Sequence, residues 1–372
     1  MNKARFSGIR LRTVRHFHQM TQDDLAQLIA VSPSTISLYE TEKREPNDDG
    51  IIEALCEVLD VSPHFFYTAV LGELGEDQID YRSLAAAPKH VRDRLVAFGF
   101  FVLEWTRYLR QKVRLPTLNI PSVDAAYDED VERAAELCRE HWGLGFGPID
   151  RINRVLENAG VAIATVDIQA SEVDAFSVYL DDMGLVVLNT TKGCNSRAIQ
   201  DCTHELGHGV LHRGPGRERN RRLKEQQAKR FAGAFLLPRR TFPREFWSGG
   251  HGDLSHVVAL KRRWGVSIQS ILYRAHQLEL IGTAAFRRWM RTVSAKGWRS
   301  GIQEPAEPRP VEPELLGLAF EQYKTVTGES ASDAAQYLGW GETIFRGVIG
   351  APETERPSPG AVVLSLRQAR NS

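Results

Sequence analysis

The sequence predicts an α+β chain, predominantly helical, in which one small antiparallel sheet precedes a histidine-bearing helix. Three observations carry that expectation. Apolar residues recur at helical spacing, as in Phe98, Phe101, Val102, Trp105, Tyr108 and Leu109. Short strand-like runs fall together between residues 161 and 188. Soon after them stands Thr203-His204-Glu205-Leu206-Gly207-His208-Gly209-Val210-Leu211-His212, which contains H-E-x-x-H.

Composition bounds the answer. A chain of 372 residues is long for one domain, so two or three are expected. Hydrophobic content of 42% and charged content of 25% are those of an ordinary soluble protein. The formal net charge is zero, so overall charge names no partner. Cys56, Cys138, Cys194 and Cys202 form no C-x-x-C pair, which points to reduced thiols rather than a disulfide framework. The sequence shows no signal peptide, and no apolar run reaches the roughly 18 residues of a membrane span. A cytoplasmic chain with no membrane partner is expected.

Residues 1–67 read as a compact helical domain. Ile9, Leu11, Val14 and Phe17 open it with an apolar stripe. Thr21 followed by Asp23 and Asp24 is a helix start. Leu25, Ala26, Leu28 and Ile29 form a short buried helix, and a tight turn follows at Ala30-Val31. Ser32 caps the next helix with Pro33 in its first turn. Two short helices joined by a tight turn are the helix-turn-helix pattern. This stretch, continuing through Lys43-Arg44-Glu45-Pro46 to Leu59-Asp60-Val61-Ser62-Pro63, is similar to Xre/Cro-type repressors. The resemblance implies a five-helix domain that binds a double-stranded operator. Pro33, Ser34, Ser37 and Leu38 would face the major groove, and Gln22, Lys43 and Arg44 would meet phosphates. The domain nevertheless carries seven Lys/Arg against ten Asp/Glu, a net of −3, and its reading face lacks Arg, Asn and Gln. Glu42 also stands where such repressors usually have Gly.

Residues 68–122 read as a helical connector whose aromatic stripe is either core or the seam of a homodimer. Residues 123–250 form the next domain. Asp130–Trp142 and Ile149–Ala159 are expected helices, ended by Gly143 and Gly160. Residues 161–166, 175–180 and 185–188 are expected strands, with Asp181-Asp182 and Gly184 between the last two. The edge at 173–180 is open to pairing with an extended peptide. Residues 251–302 read as a helical, helix-turn-helix-like extension, and 303–372 as a linker and a helical tail.

On a helix, His204 and His208 lie four apart on one face and can aim two imidazoles at one ion. Glu205 projects beside them, placed to take a proton from water. A tetrahedral site wants a third protein ligand. His212 sits two turns from His204, roughly 12 Å along the axis, too far for one ion to reach all three. Glu225 shares a helix face with Ala228, Ala232 and Phe235, where a lone carboxylate is costly unless paired or metal-bound. Glu225 is therefore the chosen third ligand, with His212 a neighbour. Cys202 points to another face. Tyr179 and His256 are candidates to stabilise an oxyanion.

HELGHGVLH followed by EQQAKRFAGAFLLP resembles the ImmA/IrrE family of zinc metallopeptidases, often fused to Xre-type domains. The resemblance covers about residues 5–320. It implies a zincin-like fold of gluzincin type, with His204, His208 and Glu225 binding Zn2+ (Mn2+ the alternative) and Glu205 as general base. It also implies a repressor protein as substrate, and control of stress, DNA-damage or mobile-element genes. The competing expectations are a non-enzymatic regulator that senses a metal or ligand through this domain, and a toxin–antitoxin component.

Around the third proposed ligand, residues 213–244 carry eleven Lys/Arg and two Glu, a net of +9. Such a run is either a solvated face or a docking surface for an acidic protein or for single-stranded DNA acting as an activator.

Overall fold

The computed structural model describes residues 5–68, 87–169, 173–213, 220–248, 253–301 and 303–349. The chain divides into two compact units, Met1–Leu115 with Leu315–Ser372, and Pro116–Glu314. No helix among the described residues is long and apolar enough to cross a membrane.

The first unit opens with α1 (Gly8–Phe17), α2 (Gln22–Leu28), α3 (Pro33–Glu40), α4 (Asp49–Leu59) and α5 (Pro63–Tyr67). Thr21 and Asp24 cap α2 reciprocally, and Ser32 caps α3 ahead of Pro33. The turn between α2 and α3 passes through Ala30 at φ 55°. Glu42 also takes a left-handed conformation, φ 56°, where glycine would be unstrained. Its carboxylate accepts the Gly8 N–H at 3.1 Å, so this side chain satisfies an open donor at the start of α1. Helix α6 (Lys89–Lys112) follows.

The second unit holds α7 (Asp128–His141), α8 (Ile152–Asn158), β1 (Val161–Val166), β2 (Ala175–Tyr179) and β3 (Gly184–Asn189). Beyond the sheet come α9 (Asn195–Leu211), α10 (Arg221–Leu236), α11 (Phe242–Ser248), α12 (Leu254–Trp264), α13 (Ile268–Gln277) and α14 (Thr283–Ala295). The strand order is β1-β3-β2. The sheet is mixed rather than antiparallel throughout: β3 runs antiparallel to β2 and parallel to β1. The tight β2–β3 turn, closed by Leu180 N–H on the Met183 carbonyl at 2.9 Å, fixes one pairing. The other follows from burial. Leu185 to Leu188 are all buried, so β3 needs neighbours on both sides, and β1 fills the second one.

Helix α9 packs on this sheet and α10 packs on α9, with α7 beyond it. Arg139 holds the Gly143–Gly147 loop by donating to the carbonyls of Gly145 and Gly147, at 2.7 and 2.9 Å, and to that of Phe235. Arg274 on α13 makes a buried two-pronged pair with Glu132 on α7, both bonds 2.7 Å.

Helices α15 (Leu315–Thr327), α16 (Ala331–Leu338) and α17 (Glu342–Ile349) return to the first unit. The Trp105 ring of α6 meets Phe320 and Phe345, with centroids 5.4 and 5.5 Å apart. Glu104 forms a buried ion pair with Arg10 of α1 and accepts the Trp340 indole N–H at 3.2 Å. The aromatic stripe of α6 is thus core covered by the chain's own helices. The segments read as connector and tail share that core with the first five helices. Residues 69–86 of the expected connector and the tail beyond 349 lie outside the described residues.

Replacing one member of a buried pair strands the other charge. Glu132→Met leaves the Arg274 guanidinium, 1% exposed, without its counter-ion. Denaturant unfolding should show a loss of roughly 3–5 kcal/mol, most of it recovered when Arg274→Met is added.

Candidate metal centre and nucleic-acid interface

His204 and His208 rise along one face of α9, their Nε2 atoms 3.2 Å apart. Glu225, early in α10, meets them. Its Oε2 lies 3.3 Å from His204 Nε2 and its Oε1 3.7 Å from His208 Nε2. One ligand atom from each residue falls within 4.8 Å of the others. The approach depends on Gly207. A Cβ there would sit 3.2 Å from the Ala228 backbone and 3.1 Å from Phe231, so a small residue lets α10 come close enough for Glu225 to reach across.

The donor set fits a divalent ion. Oε1 of Glu225 is buried and has no hydrogen-bond partner among the described residues. Such an oxygen, aimed at two imidazole nitrogens, is costly unless a cation joins them. Two imidazoles and a carboxylate are the protein ligands of a catalytic zinc with one position left open. Beside Glu225 lies a cavity of about 560 Å³, lined by Asn220, Arg221, Arg222, Gln226 and Lys229.

Burial pushes His208 well below the ordinary imidazole range. His204 is also penalised by burial, but its bond to Glu225 and the nearby Glu205 carboxylate outweigh that and raise it. The same bond lowers Glu225. One turn before His204, burial beside Asp174 raises Asp201 to about 7.

Glu205 turns toward the sheet and is 2% exposed. The Ser177 hydroxyl of β2 donates to its Oε2 at 2.5 Å. Tyr179, two residues on and on the same strand face, donates its hydroxyl to the Glu205 backbone carbonyl at 2.8 Å. Gly209 makes room for that ring, since a Cβ there would lie 2.4 Å from it. The two glycines of the motif therefore clear space on two sides, one for α10 and one for β2. β2 is an edge strand, paired only with β3 among the described residues.

His212 stands outside the three-residue cluster and faces His208, Nδ1 to Nδ1, at 3.0 Å. Cys202 is buried in the hydrophobic core, where burial pushes its thiol well above the usual range. Both oxyanion candidates are engaged within the fold. Tyr179 already spends its hydroxyl on a helix carbonyl. His256 Nε2 faces the carbonyls of Glu245 and Phe246, at 3.1 and 3.2 Å, and so ties α12 to α11. Sequence reasoning missed Ser177 and Gln227. The available signals were a hydroxyl inside an otherwise apolar strand and an amide on a helix that packs on the motif.

In the first unit, Pro33, Ser34, Leu38, Lys43 and Arg44 are exposed and Ser37 is half-buried. Gln22 is bonded to the buried Glu40 carboxylate at 2.8 Å, which Arg15 also holds. Its amide is thus engaged within the fold, because α2 and α3 meet over this acid.

Three cations of the basic run are paired with acids of α7. Arg230 pairs with Asp128 at 2.7 Å, Arg239 with Glu129 and Glu136 at 2.7 and 2.9 Å, and Arg240 with Glu136 at 3.0 Å. These cations serve to hold α10 and the following turn to acidic α7. Arg217 and Arg219 lie outside the described residues.

Comparison with known families accords with this division. Residues 156–276 match the peptidase M78 model described as the IrrE N-terminal-like domain. Residues 8–64 match a helix-turn-helix domain model. No curated protein matches the chain.

Gly207→Val places branched carbons against the Ala228 backbone. It should weaken zinc binding at least about tenfold in a competition titration, while helix content by circular dichroism holds.

Proposed function

We propose that this chain, a helix-turn-helix domain joined to an IrrE N-terminal-like peptidase M78 domain, is a DNA-binding regulator that hydrolyses a peptide bond in a repressor protein. The observation that supports this most is the convergence of His204, His208 and Glu225, with the Glu205 carboxylate near enough to help raise His204. A purely structural metal site would close its fourth position and would not need a carboxylate there.

The two Nε2 atoms and a Glu225 oxygen would hold Zn2+, with Mn2+ the alternative. Such an ion supplies Lewis acidity, which makes water acidic near neutral pH and polarises a carbonyl. Glu205 takes the proton of the attacking water and returns it to the leaving amine. Ser177 holds the Glu205 carboxylate in one rotamer by donating to Oε2. The free edge of β2 offers backbone groups to an extended substrate strand. The cavity beside Glu225 carries Arg221, Arg222 and Lys229, which suits acidic side chains flanking the scissile bond.

The DNA-binding domain would read its operator through Ser34 and Leu38, with phosphates met by Lys43 and Arg44. A net charge of −3 over residues 1–67 makes that affinity modest. Cleavage of a repressor, in trans or within the chain's own DNA-binding half, would release stress or mobile-element genes. The second reading is a regulator that senses metal without hydrolysis. It is favoured by the 2% exposure of Glu205.

Glu205→Gln should retain the metal and lose cleavage by about 10²- to 10⁴-fold, read by mass spectrometry of helix-turn-helix repressors encoded beside this chain. Metal bound without cleavage by either protein would favour the sensor. Lys43→Glu with Arg44→Glu should weaken DNA binding and lower the salt-dependence slope by about 2, measured by fluorescence anisotropy.

A further inference from the structure

A line of polar groups runs from the metal centre to a main-chain carbonyl. Gln227 Nε2 lies 2.8 Å from the Ala125 carbonyl oxygen. Gln227 Oε1 lies 2.9 Å from His212 Nε2. His212 Nδ1 lies 3.0 Å from His208 Nδ1. His208 Nε2 then faces Glu225 and His204. Gln227 and His208 are 5% and 4% exposed, and His212 between them is half-buried.

The far end sets the direction of the whole line. A backbone carbonyl can only accept, so the Gln227 NH₂ must point to Ala125 and its oxygen to His212. That oxygen can only accept, so His212 carries its proton on Nε2. A neutral His212 then has a lone pair on Nδ1 and can only accept there. His208 must therefore carry its proton on Nδ1, and its lone pair is left on Nε2, the atom aimed at the ligand cluster. None of these steps assumes a metal.

We infer that His212 and Gln227 are positioning residues that lock His208 in the Nδ1–H tautomer and so present Nε2 as a metal ligand. The role toward the metal rests on the proposed site. The tautomer stands on the hydrogen-bond line with His212 neutral. Helix α10 thereby acts twice: Glu225 supplies a ligand, and Gln227, two residues on, orients another. Outer partners of this kind typically change metal affinity by about 10- to 100-fold when removed.

The test uses the full chain, metal-free, with ¹⁵N-labelled histidine and assignments from single-histidine variants. Two-bond ¹H–¹⁵N spectra read the tautomers directly. The expected result is Nδ1–H for His208 and Nε2–H for His212. Gln227→Met should abolish the fixed His212 state and weaken zinc binding about 10- to 100-fold. Gln227→Glu keeps an acceptor for His212 and should preserve both tautomers, with zinc affinity within a few-fold of wild type. A wild-type His208 protonated on Nε2 would overturn the inference, and so would a Gln227→Met chain with unchanged tautomers and affinity. Wild-type tautomers as expected, but with no zinc bound, would instead count against the metal site itself.

Discussion

The close contact of α9 with α10 is the constraint on which the second unit depends. Two histidines on one helix cannot complete a site, and the third group must come from elsewhere. Glu225 of α10 could supply it, because Gly207 offers no Cβ where the Ala228 backbone passes. The cost of aiming a carboxylate at two imidazoles is carried by packing around it. Phe231, Ala232 and Phe235 bury the rest of that face. Ion pairs from Arg230 and Arg239 fasten α10 and its end to α7. The buried Arg274–Glu132 pair adds a fixed point from α13.

The other side of α9 meets the sheet. β2 contributes Ser177 to the Glu205 carboxylate and Tyr179 to its backbone carbonyl. The residue that would do the proton chemistry is thus gripped by its side chain and by its main chain. This explains why a three-stranded sheet is enough. It need only carry β2 along α9, and buried β3 supplies the backing.

Much of this was legible in the sequence, for reasons of scale. H-E-x-x-H and the Glu225 face are local patterns set by 3.6 residues per turn, and the capped helices of the first unit are equally local. What could not be read depends on distant partners. The parallel β1–β3 pairing follows from the burial of β3 on both sides. The return of α15–α17 to the first unit is decided by aromatic contacts more than two hundred residues away, such as Trp105 with Phe320 and Phe345. Within the basic run, Arg230, Arg239 and Arg240 pair with Asp128, Glu129 and Glu136, acids that precede them by about a hundred residues and that no local pattern connects to them. Gln227 showed no chemistry of its own until His212 and Ala125 were placed around it.

Whether two imidazoles and one carboxylate hold one ion is read most directly by X-ray absorption on the zinc-loaded chain. The expected shell is nitrogen and oxygen only, at about 2.0–2.1 Å, with the multiple-scattering pattern of two imidazoles, and it is lost in Glu225→Ala. A sulfur neighbour at roughly 2.3 Å, which would place the ion on a cysteine such as Cys202, or a shell unchanged in Glu225→Ala, would contradict it.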